Sequence, residues 1–138
     1  KLLILDEATA GLDPVVRDEI LDEFLGLIQD EDHAILMSSH IISDLEKVAD
    51  YIAYIHQGEV VLSDAKDAIL DSYGRVGCTA AQLETIDRAD VLRTRKGAFG
   101  CEALVKDRSA FARKYPMLLV ERTTLEDIML FVGKGEDK

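Results

Sequence analysis

The stretch LLILDEATAGLDP, residues 2–14, decides how this chain reads. Four aliphatic side chains, Leu2 to Leu5, run directly into two acids, Asp6 and Glu7. A short continuous apolar run marks a strand covered on both faces, as in a parallel sheet. Successive strand side chains point to opposite faces, so Asp6 and Glu7 diverge and need not repel each other in one pocket. The carboxyl ends of parallel strands are where open α/β sheets bind ligands. An acid placed there can hold a magnesium ion through its waters. A second acid beside it can orient or deprotonate an attacking water.

Working outward, ATAGLDP is a turn, and Asp13 followed by Pro14 is a helix start: an N-cap acid, then proline at the first helical position. Ile20, Leu21, Phe24, Leu25 and Ile28 repeat at helical spacing, which predicts a helix from Pro14 to about Gln29. After the polar loop DEDH, the run AILM at 34–37 is a second short apolar strand. The order β-α-β implies a right-handed crossover and two parallel strands, with Asp6 and His40 brought to the same sheet edge. The next helix is predicted to open with a capping box, Ser43 with Glu46, and to turn Ile42, Leu45 and Ala49 inward. YIAYIHQGEVVLSD reads as a hairpin, with strands at 51–56 and 59–62 around Gln57-Gly58. A short helix at 64–72 ends at Gly74.

Beyond Gly74 the character changes. RVGCT reads as a strand, residues 80–86 as a short helix, and DVLRTRK and CEALVKD as a hairpin around GAFG. Residues 107–114 are predicted helical and MLLVE extended. TTLEDIMLFV is predicted as a final helix capped by Thr123 with Glu126. Residues 75–138 are expected to form a small α+β regulatory or oligomerising appendage with no catalytic role, because no acid, histidine or glycine-rich loop there forms a site.

Acids number 27 and bases 16, for a formal net charge of −11. That balance argues against broad contact with nucleic acid or an anionic membrane. No apolar run approaches the roughly 20 residues of a membrane span, and the start has no basic stretch leading into an apolar one, so no signal peptide is expected. Cys78 and Cys101 lack CxxC spacing and a histidine partner, and read as reduced thiols filling space. His33, His40 and His56 share no short metal spacing. The chain opens at Lys1 on a core-type strand, so an N-terminal part of a longer protein is expected to precede it.

LLILDEATAGLDP closely resembles the Walker B and D-loop segment of the ATP-binding cassette (ABC) ATPases. ILMSSH resembles their H-loop, a strand ending in a histidine. IISDLEKVADYIAYIHQGEVVLSD resembles the helix and hairpin that follow. Three segments in order cover residues 1–74. The resemblance implies the C-terminal part of a P-loop ATPase core with a parallel sheet, ATP and Mg²⁺ as ligands, and ATPase activity in the full-length protein. By the same resemblance Asp6 holds the metal and Glu7 is the catalytic acid for the attacking water. His40 is the switch histidine contacting the terminal phosphate, and Gly11, Leu12 and Asp13 form the D-loop that crosses to a second ABC ATPase subunit. Asp13 is expected to serve as N-cap and in the D-loop at once, while Ser38 and Ser39 bond locally. The GLDP wording and the segment after His40 look most like ABC-2 type exporter ATPases with separate transmembrane permease subunits. That places the protein on the cytoplasmic face of the cell membrane. TTLEDIMLFV resembles, more weakly, the closing helix of the C-terminal region in such subunits.

The phosphate-cradling GxxxxGK[ST] loop and an LSGGQ-like signature do not occur in these 138 residues. The chain alone is therefore expected to bind ATP weakly and to be inactive, since a base helps only where the phosphate is already positioned. The alternatives are an ABC ATPase serving DNA repair or translation, a magnesium-dependent phosphatase, and a non-enzymatic binding module. The charge speaks against the first. Ala8, two residues after Asp6 where a DxD phosphatase needs an acid, speaks against the second. A binding module would leave Glu7 and His40 without a reason. In the family fold another strand lies between the H-loop strand and strand 51–56. Without it the isolated chain is expected to associate or rearrange.

Overall fold

The computed structural model describes residues 1–134 and 136–137. It is a mixed α/β chain in two compact units, Lys1–Asp50 and Tyr51–Lys138. The division follows compactness and groups the hairpin after residue 50 with everything downstream. The sequence-based boundary after residue 74 follows the extent of the family resemblance.

In the first unit, β1 (Leu2–Asp6) and β2 (Ala34–Ser38) pair in parallel, Leu2 beside Ala34 through Asp6 beside Ser38. Between them runs α1 (Pro14–Leu27). Asp13 caps it as expected, its carboxylate accepting the Val15 and Val16 N–H groups at 3.0 Å each. The helix stops at Leu27 because Gln29 donates three residues back, to Gly26. The parallel sheet has two strands. They are not covered on both sides: Leu3, Leu5, Ile35 and Met37 are half-buried, whereas Leu2, Ile4 and Leu36 are 62%, 67% and 63% exposed. The next helix, α2 (Ile42–Val48), lacks the predicted Ser43–Glu46 box. Ser39 Oγ accepts the Ile41 N–H instead, so the helix starts early and Ser43 already lies in its first turn. The fully buried residue of α2 is Asp44, not one of its aliphatic side chains.

The second unit opens with an antiparallel hairpin, β3 (Tyr51–His56) and β4 (Glu59–Ala65). Gln57 and Gly58 both take positive φ, 50° and 79°, the two-residue turn whose twist matches the strands. Strand β4 runs on to Ala65, opposite Tyr51, so α3 (Lys66–Ser72) starts two residues later than predicted. Then come β5 (Gly74–Cys78), α4 (Ala80–Glu84), β6 (Arg93–Gly97), β7 (Gly100–Val105), α5 (Arg108–Lys114) and β8 (Val120–Arg122). The strands pair antiparallel in the order β8-β5-β7-β6, a split β-α-β-β-α-β arrangement. A short β9 (Glu136–Asp137) extends the β6 edge. One sheet face, with Val76, Ala103 and Val105, forms a core with Phe111, Ile86 and Val91. The Thr79–Gln82 capping box of α4 went unpredicted. MLLVE shortens to β8 because Leu118 closes a turn onto Tyr115, leaving Met117 and Leu119 exposed.

The final helix, α6 (Leu125–Lys134), lies against β3 and β6. Its Leu125, Ile128 and Phe131 are almost fully buried, and Arg95 stacks 4.3 Å over the Phe131 ring. The predicted cap is off by one residue. Thr124 Oγ1 accepts the Asp127 N–H at 3.1 Å, while Thr123 turns inward and its hydroxyl has no partner. Gly74 has no room for a side chain, since a Cβ there would lie 2.8 Å from Val120 Cγ2.

Candidate functional site

The parallel register sets Asp6 and Ser38 side by side, and the chain beyond each strand supplies the rest. Ser38 Oγ donates to the Asp6 carboxylate. The Glu7 N–H continues the ladder by donating to the Ser38 carbonyl at 3.0 Å. Glu7 itself departs from the strand with φ +50°, a left-handed conformation uncommon for a residue with a side chain. The turn then folds back, Ala10 N–H donating to the Glu7 carbonyl at 3.1 Å, and passes through Gly11 at φ +78°.

That turn aims Glu7 at His40. Glu7 Oε2 lies 2.9 Å from His40 Nδ1, with the His40 side chain 77% exposed. The same Oε2 is shielded from solvent yet has no well-directed hydrogen bond. The short distance establishes proximity. The contact pairs a carboxylate oxygen closed off from solvent with an exposed imidazole. Glu7 and His40 thus meet just beyond the ends of the parallel strands, while Asp6, the last residue of β1, pairs with Ser38.

Among the described residues no group of three His, Cys, Asp or Glu side chains could enclose a metal ion. Asp6 is the exposed carboxylate at the strand end, with Ser38 as its neighbour. This donor set fits a hard divalent cation that keeps most of its waters and takes oxygens from a bound phosphate, rather than one caged by protein alone. The other two histidines are placed elsewhere: His33 Nδ1 is 3.2 Å from the Leu27 carbonyl, and His56 stacks on Tyr54. Cys78 and Cys101 are free and face each other across β5 and β7. Burial, then the neighbouring Cys101, push the Cys78 thiol above its ordinary value.

Sequence reasoning missed the residues beneath this edge. Thr9 Oγ1 donates to Asp44 Oδ2 at 2.6 Å, and Arg17 Nε lies 3.1 Å from Asp44 Oδ1. Thr9 and Asp44 are each 1% exposed. Nothing in local spacing links residues 9, 17 and 44, which sit on three different elements.

No protein-family profile matches the chain. Several curated proteins do. The lantibiotic transport ATP-binding protein SrtF of Streptococcus pyogenes is 45% identical over 67 residues, 49% of this chain and 29% of that protein. The energy-coupling factor transporter ATP-binding protein EcfA2 of Clostridium tetani is 36% identical over 92 residues, 64% of this chain and 32% of that protein. The ABC transporter ATP-binding protein YhcH of Bacillus subtilis is 39% identical over 72 residues, 51% of this chain and 24% of that protein. The chain spans less than a third of the length of these relatives. It is thus similar to ABC transporter ATP-binding proteins over about half of its length, in the manner of an ABC ATPase fragment.

Proposed function

We propose that this chain is part of the ATP-hydrolysing subunit of an ABC transporter of the exporter type, working at the cytoplasmic face of the cell membrane. It carries the catalytic edge of the site and leaves the phosphate cradle to the rest of the subunit. The observation that carries this reading is the approach of Glu7 to His40, 2.9 Å apart at the end of a parallel strand pair. Glu7 accepts the proton of the attacking water. His40, beside it, contacts the terminal phosphate and keeps the carboxylate oriented. Asp6, steadied by Ser38, is the residue that would hold Mg²⁺. When bound, the ion neutralises charge on the β- and γ-phosphates. Gly11, Leu12 and Asp13 belong to the turn that reaches a second ATPase subunit, and separate transmembrane permease subunits complete the transporter. The GLDP wording and the matches to transporter ATP-binding proteins support this over a role in DNA repair or translation.

The test is Glu7→Gln in the full-length subunit. The amide keeps the shape and loses the base, so ATP binding is retained and hydrolysis falls by roughly 3–5 kcal/mol of barrier, about 10²–10⁴-fold. Turnover close to the wild-type rate overturns the assignment.

A further inference from the structure

The strained residue of the site and its buried carboxylate are connected. Glu7 holds φ +50°, which persists only where neighbouring structure over-determines it. Two residues on, Thr9 is buried and donates a 2.6 Å hydrogen bond to Asp44. Asp44 lies on α2, the helix that starts just after His40, and its N–H donates to the Ile41 carbonyl at 3.1 Å. The Thr9–Asp44 bond therefore ties the turn that carries Glu7 to the helix that follows His40. Arg17 at 3.1 Å balances the charge of Asp44, so that the carboxylate can be buried at all. The Arg17 contact joins α1 to α2 and serves cohesion. The Thr9 contact reaches the catalytic turn.

We propose that Thr9 and Asp44 are positioning residues that hold the Glu7 carboxylate opposite His40 for ATP hydrolysis. This rests on the ATPase reading above. Neither residue touches substrate. Without the bond, the turn after Glu7 is free to relax out of the left-handed conformation, and Glu7 swings away from His40. Ground-state nucleotide binding, dominated by the phosphate cradle elsewhere in the subunit, changes little.

The experiment measures steady-state ATP hydrolysis by the full-length subunit with Thr9→Val, Thr9→Ala and Thr9→Ser, alongside Glu7→Gln. Thr9→Val is isosteric and leaves the Asp44–Arg17 pair in place, and Thr9→Ala is the smaller variant if valine does not fold. The expected result is a kcat lower by on the order of 10- to 100-fold with KM within about twofold, the mark of an interaction that matters in the transition state. Thr9→Ser, which keeps the hydroxyl, returns kcat to within about threefold of the wild type. The proposal is overturned if the valine and alanine variants turn over like the wild type, if KM rises as kcat falls, or if serine is as impaired as valine. Glu7→Gln separates the two levels: an active Glu7→Gln removes the catalytic reading itself, whereas an inactive Glu7→Gln beside a fully active Thr9→Val removes only the positioning role.

Discussion

Glu7 shows how much the site asks of one residue. Its left-handed backbone costs about 1–2 kcal/mol relative to an ordinary conformation. In return, its carboxylate leaves the strand direction and meets His40 at 2.9 Å. An uninterrupted strand would have sent the two acids to opposite faces and left the imidazole unmatched. His40 is exposed and held mainly by this contact, so replacing it should spare folding and injure chemistry. In the full-length subunit, His40→Ala is expected to slow ATP hydrolysis about 10²-fold while the unfolding temperature stays near that of the wild type. An unchanged rate in steady-state assays would return His40 to the status of an ordinary polar residue at a strand end.

At the scale of elements, the ends matter most. Asp13 was legible because its cap is local, with acceptor and donors two and three residues apart. The caps of α2 and α6 were misplaced by a residue or two because Ser43 and Thr123 offered equally plausible local patterns. In the fold α2 starts after Ile41 with no side-chain cap, Ser39 Oγ holding the Ile41 N–H just before it, and Thr124 takes the place of Thr123 at α6. One interelement tie has a pH signature. Asp90, in the short 3-10 turn Arg88–Asp90 before β6, accepts from Lys114 at 2.6 Å and from the Tyr115 hydroxyl at 2.8 Å. The Lys114 bond, then the Tyr115 bond, hold its carboxyl below the usual range. A carboxyl with a lowered folded-state pKa contributes stability above its unfolded value, near 3.9, and loses it as pH falls through the folded value. Asp90→Asn is therefore expected to flatten the acid limb of the unfolding-temperature profile as pH falls below the ordinary carboxylate range, with little change in shape near neutrality. Circular dichroism melts across that range check it, and identical acid limbs would refute it.

Among the described residues, two of the three sheets are two-stranded pairs. β2 pairs with β1 and β3 with β4, with no further strand beside either pair among the described residues. Leu2, Ile4 and Leu36 lie exposed on the first pair, and Tyr51, Ile55 and Val60 on the second. Unpaired strand edges beside apolar faces favour association. The isolated chain is expected to be oligomeric or to bind an apolar dye strongly at micromolar concentration. Light scattering that reports a stable monomer with no dye binding would show that these faces are tolerated as they stand.

The sequence by itself determined the parallel strand pair, the helix start at Asp13 and Pro14, the hairpin turn at Gln57-Gly58, and the acids and histidine at one strand edge. All of these rest on local periodicity, local hydrogen bonds or a contiguous motif. The tertiary structure alone decided the left-handed turn at Glu7, the Thr9–Asp44–Arg17 tie, the two-unit division, and the order β8-β5-β7-β6 of the second sheet. Each of these joins residues tens of positions apart, or sets a backbone angle that no local preference favours. Burial of Asp44 has the same character: an acid on a short helix reads as solvated until a threonine and an arginine from other elements are seen to satisfy it.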